Sequence, residues 1–210
     1  VESASIPEVY GTCWLNLFME ASMTKGEKVV FHAGASGIGT AGIQLAKAVG
    51  CESFVTAGSE DKIKKCIDLG ASDGEVRSKD IFSKIQSWAP EGVHIILDPV
   101  GAEYFENNLG VLGIEGRLII IGLMGGIETK VNLGHLMIKR QKIIGSTIRA
   151  RSIDKKNQVM KDLSKKVIPL FESGELKPIV YQALPLSECN EAHAIMESNE
   201  NIGKIILTLN

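Results

Sequence analysis

The chain has 210 residues, 44% of them hydrophobic and 23% charged, with a formal net charge of -2. That is enough for one good core with a smaller piece attached, and it gives no electrostatic reason to expect nucleic acid or an acidic membrane as partner. No apolar run reaches transmembrane length and no charged-then-apolar leader is present, which reads as a cytoplasmic protein. Cys13, Cys51, Cys66 and Cys189 lack any metal or redox spacing and read as reduced thiols. The opening Val1-Glu2-Ser3-Ala4-Ser5-Ile6-Pro7-Glu8 has neither methionine nor signal, as though cut from something longer.

Pro7 suits the first turn of a helix through Tyr10, Trp14, Leu15 and Phe18. A short apolar run, Val29-Val30-Phe31, then ends in the turn His32-Ala33-Gly34-Ala35-Ser36-Gly37-Ile38-Gly39. Behind it Ile38, Ala41, Gly42, Leu45, Ala46 and Val49 recur at helical spacing until Gly50. Ser53–Ala57 reads as a second strand, and Ser59 as the N-cap of a helix over Asp61–Leu69. A brief strand at Glu75–Arg77 leads to a helix near Lys79–Trp88. Val93–Leu97 is a buried-type strand ending in Asp98-Pro99-Val100-Gly101, followed by a helix over Glu103–Val111. The strand Arg117–Ile121 runs into Gly122-Leu123-Met124-Gly125-Gly126. A short helix near Leu133–Lys139 precedes the strand Lys142–Ser146, which exits at Thr147-Ile148-Arg149-Ala150-Arg151. The spacing then predicts one helix over Asp154–Ser173, kinked by Pro169. Strands near Ile179–Gln182 and Ile205–Leu209 flank a last helix at Glu188–Glu197.

Strands alternating with helices predict an α/β fold: a Rossmann-like, doubly wound parallel sheet. In such a sheet a ligand lies beyond the carboxyl ends of the strands, so the turns after them converge on one crevice. At the first turn Gly34 allows a sharp bend and Gly39 allows close packing of the helix. The N–H groups at the helix start then face outward for a pyrophosphate. Ser36 stands where the usual G-x-G-x-x-G pattern has its middle glycine, and a plain structural turn is the other reading. NAD-binding turns carry an acid about 20 residues on, to grip the adenosine 2′-hydroxyl. Here that place holds Ala57-Gly58-Ser59, with Lys62 one turn further, which favours NADP(H). Arg77 could stack on adenine or add charge; Glu60 and Asp61 suit the helix dipole.

The runs His32–Ala41, Thr56-Ala57-Gly58-Ser59, Gly122–Gly126, Glu191-Ala192-His193 and Asn201-Ile202-Gly203-Lys204-Ile205 resemble the zinc-free quinone oxidoreductases of the medium-chain dehydrogenase/reductase superfamily. The resemblance spans essentially the whole chain. It implies that Ser36, Gly37, Ile38 and Gly39 hold the pyrophosphate, and that Gly58, Ser59 and Lys62 receive the 2′-phosphate. Leu123, Met124, Gly125, Gly126, Ile148, Arg149 and Ala150 would line the nicotinamide half, with Asn201 reaching in from the tail. Arg77 stands where relatives commonly have a tyrosine against the adenine. Family members also have an N-terminal GroES-like domain, absent here. Residues 1–150 would thus be the dinucleotide-binding domain and 151–210 the C-terminal portion of the catalytic domain.

The implied reaction is hydride transfer from NADPH to a small-molecule quinone, with the cofactor carrying the chemistry. No catalytic residue and no metal ligand is assigned. His32, His94, His135 and His193 form no ligand cluster and read as structural histidines. A short-chain dehydrogenase would need Tyr-x-x-x-Lys, but Tyr10, Tyr104 and Tyr181 are followed by Trp14, Asn108 and Pro185. Reduction of an enone or enoyl thioester stays open, as does an NADPH-binding redox sensor without turnover. Lys142–Ser146 should be an edge strand, which with the resemblance implies a homodimer.

Overall fold

Six parallel strands form the centre of the molecule, whose residues 1–209 are described by a computed structural model. They are β1 (Lys28–Phe31), β2 (Glu52–Ala57), β3 (Asp73–Val76), β4 (Val93–Asp98), β5 (Leu112–Ile120) and β6 (Lys142–Gly145), in the order β3-β2-β1-β4-β5-β6. The chain enters at the middle, winds to one edge, returns and winds to the other, as the alternation of strands and helices predicts. Each strand is apolar on both faces because both are covered. Val29, Phe31, Val55, Ile95, Leu97 and Ile119 point into one core, and Val30, Phe54, Ile96 and Leu118 into the other. That one-residue alternation is the two-residue repeat of a strand.

The first core is closed by α1 (Pro7–Cys13), α2 (Gly37–Val49) and α3 (Glu60–Leu69), and the second by α4 (Ile81–Trp88) and α5 (Ala102–Val111). Gly50 and Gly70 end α2 and α3 in the left-handed region, at φ 82° and 117°. A short α6 (Leu133–Ile138) leads into the edge strand β6.

Three elements depart from the predicted ones. Helix α1 passes into a π-helical stretch, Trp14–Glu20. Strand β5 begins at Leu112 rather than Arg117, because its first residues pair with Val93 before a register shift brings Arg117 opposite Ile95. The helix expected over 154–173 is α7 (Ile153–Asp162), a π-helical turn Leu163–Val167, and α8 (Ile168–Glu172). Pro169 lacks an N–H for the turn before it, and the wider turn takes the place of a simple kink.

Val159, Leu163 and Val167 bury their side chains in the first core, so α7 and its π turn pack with the six-stranded sheet. Beyond them β7 (Val180–Pro185), α9 (Cys189–Ser198) and β8 (Lys204–Thr208) make a separate parallel pair. This pair is tied back through a bridge between Ser36 and Gly203, in which the Gly203 N–H donates to the Ala35 carbonyl at 2.9 Å. A second tie runs through buried Gln44, whose amide donates to the Lys177 carbonyl and accepts its N–H.

Candidate cofactor cleft

A cleft of about 1070 Å³ opens at the carboxyl ends of β1 to β5. Its first wall is the glycine turn. A Cβ on Gly39 would lie 2.3 Å from the Gly34 carbonyl oxygen, so the turn closes only with glycine there. One on Gly34 would meet Val55 of β2 at 2.7 Å. Ser36 supplies what a glycine would not: its Oγ accepts the Gly39 N–H at 3.1 Å and caps α2. Ala33, Ala35 and Ser36 line the cleft, while Gly34, Gly37, Ile38 and Gly39 build the turn behind them.

The second wall is cationic. Lys62 and Arg77 line the cleft with Gly58, and a Gly58 Cβ would sit 3.1 Å from Arg77 Nη2, which places the guanidinium over that glycine. Burial and the neighbouring Arg77 charge hold the Lys62 ammonium below the usual lysine range. Ser59 Oγ accepts the Lys62 N–H at 3.4 Å, capping α3 rather than lining the cleft. Ser78 and Lys79 extend this wall past β3.

The loops after β4 and β5 make the far wall as one bonded body. Met124 N–H donates to Pro99 and Gly125 N–H to Val100, at 3.2 and 2.7 Å; Ala102 and Glu103 return bonds to Gly126 and Gly125, each at 3.1 Å. Val100, Glu103, Tyr104, Met124 and Gly125 face the cleft, with Leu123 and Gly126 flanking the last two. From the tail come Met196, Asn199 and Asn201. Ile148, Arg149 and Ala150 are not among the lining residues; Ile148 lies against Gly11 of α1, and the other two are exposed.

Of the residues singled out in the sequence, Ser36, Gly58, Lys62, Arg77, Met124, Gly125 and Asn201 are therefore brought together. The sequence reading missed Lys79, Phe82, Tyr104 and Asn199. Tyr104 carried a signal, an aromatic one turn into the helix that follows a strand end; Asn199 carried none.

Beneath the floor runs a buried polar chain. Asn108 Nδ2 donates to Asp98 Oδ2 at 3.1 Å, which turns its Oδ1 toward His32 Nε2, 2.8 Å away. His32 must then carry its proton on Nε2, leaving Nδ1 to accept from the Thr56 hydroxyl at 3.2 Å. Burial holds the imidazole down to about 4, so it is neutral, and pushes the Asp98 carboxyl up to about 6. His32 is thus a structural histidine with both nitrogens engaged. The rings of Phe82 and Tyr104 stand edge-on to it and separate it from the cleft.

Among the described residues no group of three or more His, Cys, Asp or Glu side chains is placed to hold a metal ion, so they do not make a zinc site. No helix is long and apolar enough to cross a membrane.

The profile of the zinc-binding dehydrogenase family matches residues 37–165. Human quinone oxidoreductase is 31% identical over 99% of this chain, which spans 62% of that protein. A solved NAD-dependent alcohol dehydrogenase superposes with a TM-score of 0.86 at 30% identity, covering 99% of this chain and 58% of its own. The JamJ enoyl reductase gives 0.84 at 29%, covering 99% and 62%. The likeness to quinone oxidoreductases and the parallel sheet both agree with the family resemblance in the sequence.

Proposed function

Because the chain belongs to the zinc-binding dehydrogenase family, within the medium-chain dehydrogenase/reductase superfamily, we propose that it serves an NADPH-dependent quinone oxidoreductase. The observation that carries the NADPH reading is the pair of cations at the end of β2: Lys62 and Arg77 flank Gly58, where an NAD-binding turn would present a carboxylate. The 2′-phosphate is received there, and the pyrophosphate by the N–H groups opening α2 behind Ser36. The loops after β4 and β5, with Asn201 from the tail, hold the nicotinamide half. When bound, the cofactor supplies the hydride. The chain's own contribution is positioning: a pre-bonded far wall, and Phe82 and Tyr104 over a neutral imidazole that offers no competing proton. No catalytic side chain and no step through zinc is assigned. Residues 1–150 are the proposed dinucleotide-binding domain, and 151–210 the proposed C-terminal portion of a catalytic domain whose α7 and π turn pack on the first core. A homodimer paired along β6 is part of the same proposal, supported by the unpaired edge and the exposed Ile143.

The test is titration with NADPH and NADH, followed by NADPH oxidation with an ortho-quinone, on this chain and on a longer version carrying the remainder found in its relatives. Tighter NADPH binding by about tenfold or more is expected. Avid uptake of NADH with NADPH ignored would overturn the reading. The similarity to an enoyl reductase favours a second reading, reduction of an enoyl thioester, which faster turnover with such a thioester than with quinone would establish. NADPH binding without turnover of either would indicate a redox sensor.

A further inference from the structure

The far wall of the cleft rests on a carboxylate that does not touch the cleft. Asp98 is fully buried, and its Oδ1 accepts the Val100 N–H at 2.6 Å, while the Gly101 N–H reaches both oxygens at 3.3 and 3.2 Å. Those two residues belong to the loop that bonds to 124–126, and the loops approach so closely that a Cβ on Gly122 would lie 2.7 Å from the Pro99 oxygen. The stance of both loops is therefore set where Asp98 sits. What holds Asp98 is Asn108, also fully buried, one helical face into α5. Its position demands an acceptor on one side, for His32 Nε2–H, and a donor on the other, for the carboxylate. An amide supplies both at once; a carboxylate or an aliphatic side chain does not.

We propose that Asn108 is a positioning residue for this cleft, its amide orienting Asp98 so that the backbones of residues 99–103 and 122–126 stand in the spacing a bound nucleotide needs. That the ligand is NADPH rests on the function proposed above; that Asn108 sets the loops does not. The titratable groups facing Asp98 are His32 from β1, reached through Asn108, and Tyr104 with its neighbour Glu103 on α5. From β5 it meets Ile120, and residues 121–126 contain no titratable side chain.

Two substitutions separate positioning from mere space filling. Asn108→Leu leaves Asp98 and His32 without their shared partner. In ligand-free protein, amide hydrogen exchange at Val100 and Gly101 is expected to quicken by about tenfold or more, with Gly125 following and Val55 of β2 unchanged. NADPH affinity falls by a similar factor, while adenosine 2′,5′-bisphosphate, which occupies only the cationic end, binds as before. Asn108→Asp is the diagnostic case. With one proton shared between the two carboxyls, the new side chain donates to Asp98 and still accepts from His32, as the amide does. When that proton leaves, two like charges face each other. This variant is expected to hold protection at Val100 and Gly101 in mild acid and to lose it as pH rises, a trend absent from the parent. Unchanged exchange at those amides in the leucine variant would overturn the proposal. So would a flat pH response in the aspartate variant, or equal loss of NADPH and of the bisphosphate. If the parent fails to bind NADPH, the function falls, and the exchange data still decide the role of Asn108. If the leucine variant does not fold, the aspartate variant decides it.

Discussion

Lys62 donates to the main-chain carbonyl of Asn199, joining the first turn of α3 to the residue that ends α9 across the mouth of the cleft. Asn199 takes the left-handed conformation, φ 56°, and so turns the chain toward Asn201 and the last strand. A carbonyl does not neutralise an ammonium, so Lys62 remains available to a phosphate while helping to close the cleft.

Replacing Lys62 with alanine is expected to weaken NADPH binding by about tenfold or more and NADH binding by about twofold or less, because the ammonium's charge-assisted bond is made to the 2′-phosphate. Equal losses for both nucleotides, measured by fluorescence titration, would mean that the lysine acts only through its bond to the tail.

Gly58→Asp places a carboxylate at the end of β2, within reach of Arg77. Gly58 is not in the left-handed region, and its neighbour there is the mobile end of an arginine, so the substitution is accommodated. The acid repels the 2′-phosphate and accepts a 2′-hydroxyl, so the ratio of NADPH to NADH affinity is expected to fall by about tenfold or more. An unchanged ratio would remove the cationic wall from the specificity argument.

Gly39→Ala drives a methyl group against the Gly34 carbonyl, which is backbone and cannot swing aside. The expected loss of stability in urea unfolding is about 1–3 kcal/mol, together with a loss of nucleotide affinity.

The His32 imidazole gives a pH signature. Its unfolded value is near 6.5 and its folded value about 4, so the unfolded state binds more protons between the two and this contribution to stability is lost as pH falls through that window. Asp98 has the opposite sign: raised from 3.8 to about 6, it favours the folded state as the solution is acidified. The two oppose each other. His32→Gln removes one of them, and the stability advantage of the parent over the variant is expected to shrink by up to about 3 kcal/mol on going from about pH 7 to about pH 4. A constant advantage would show that the ring is not the titrating group.

The fold was readable from the sequence wherever the signal is local. Val29, Val30 and Phe31 alternate between two cores, and Ser59, Gly50 and Gly70 announce helix ends that the structure has. The site was half readable. Strand ends point to Ser36, Gly58 and Met124 because the crevice of a doubly wound sheet lies there by construction of the fold. Asn199 comes from a tail that must first cross back, and Asn108 meets His32 across 76 residues; neither periodicity nor turn chemistry records such a meeting. The π turn at Leu163–Val167 was hidden because the apolar spacing of its flanks is that of an ordinary helix.

Gly203 sits at φ +79°, and any side chain on it would strike the Ile179 carbonyl, 2.3 Å from where its Cβ would lie. Its N–H is what secures Ala35 in the first turn. During synthesis, therefore, a ribosome-bound chain can wind the sheet long before it can finish that turn, and nucleotide capture waits for the last strand to be released and docked. An early stop codon upstream of residue 203 leaves a polypeptide with its sheet in place and its binding turn unfastened.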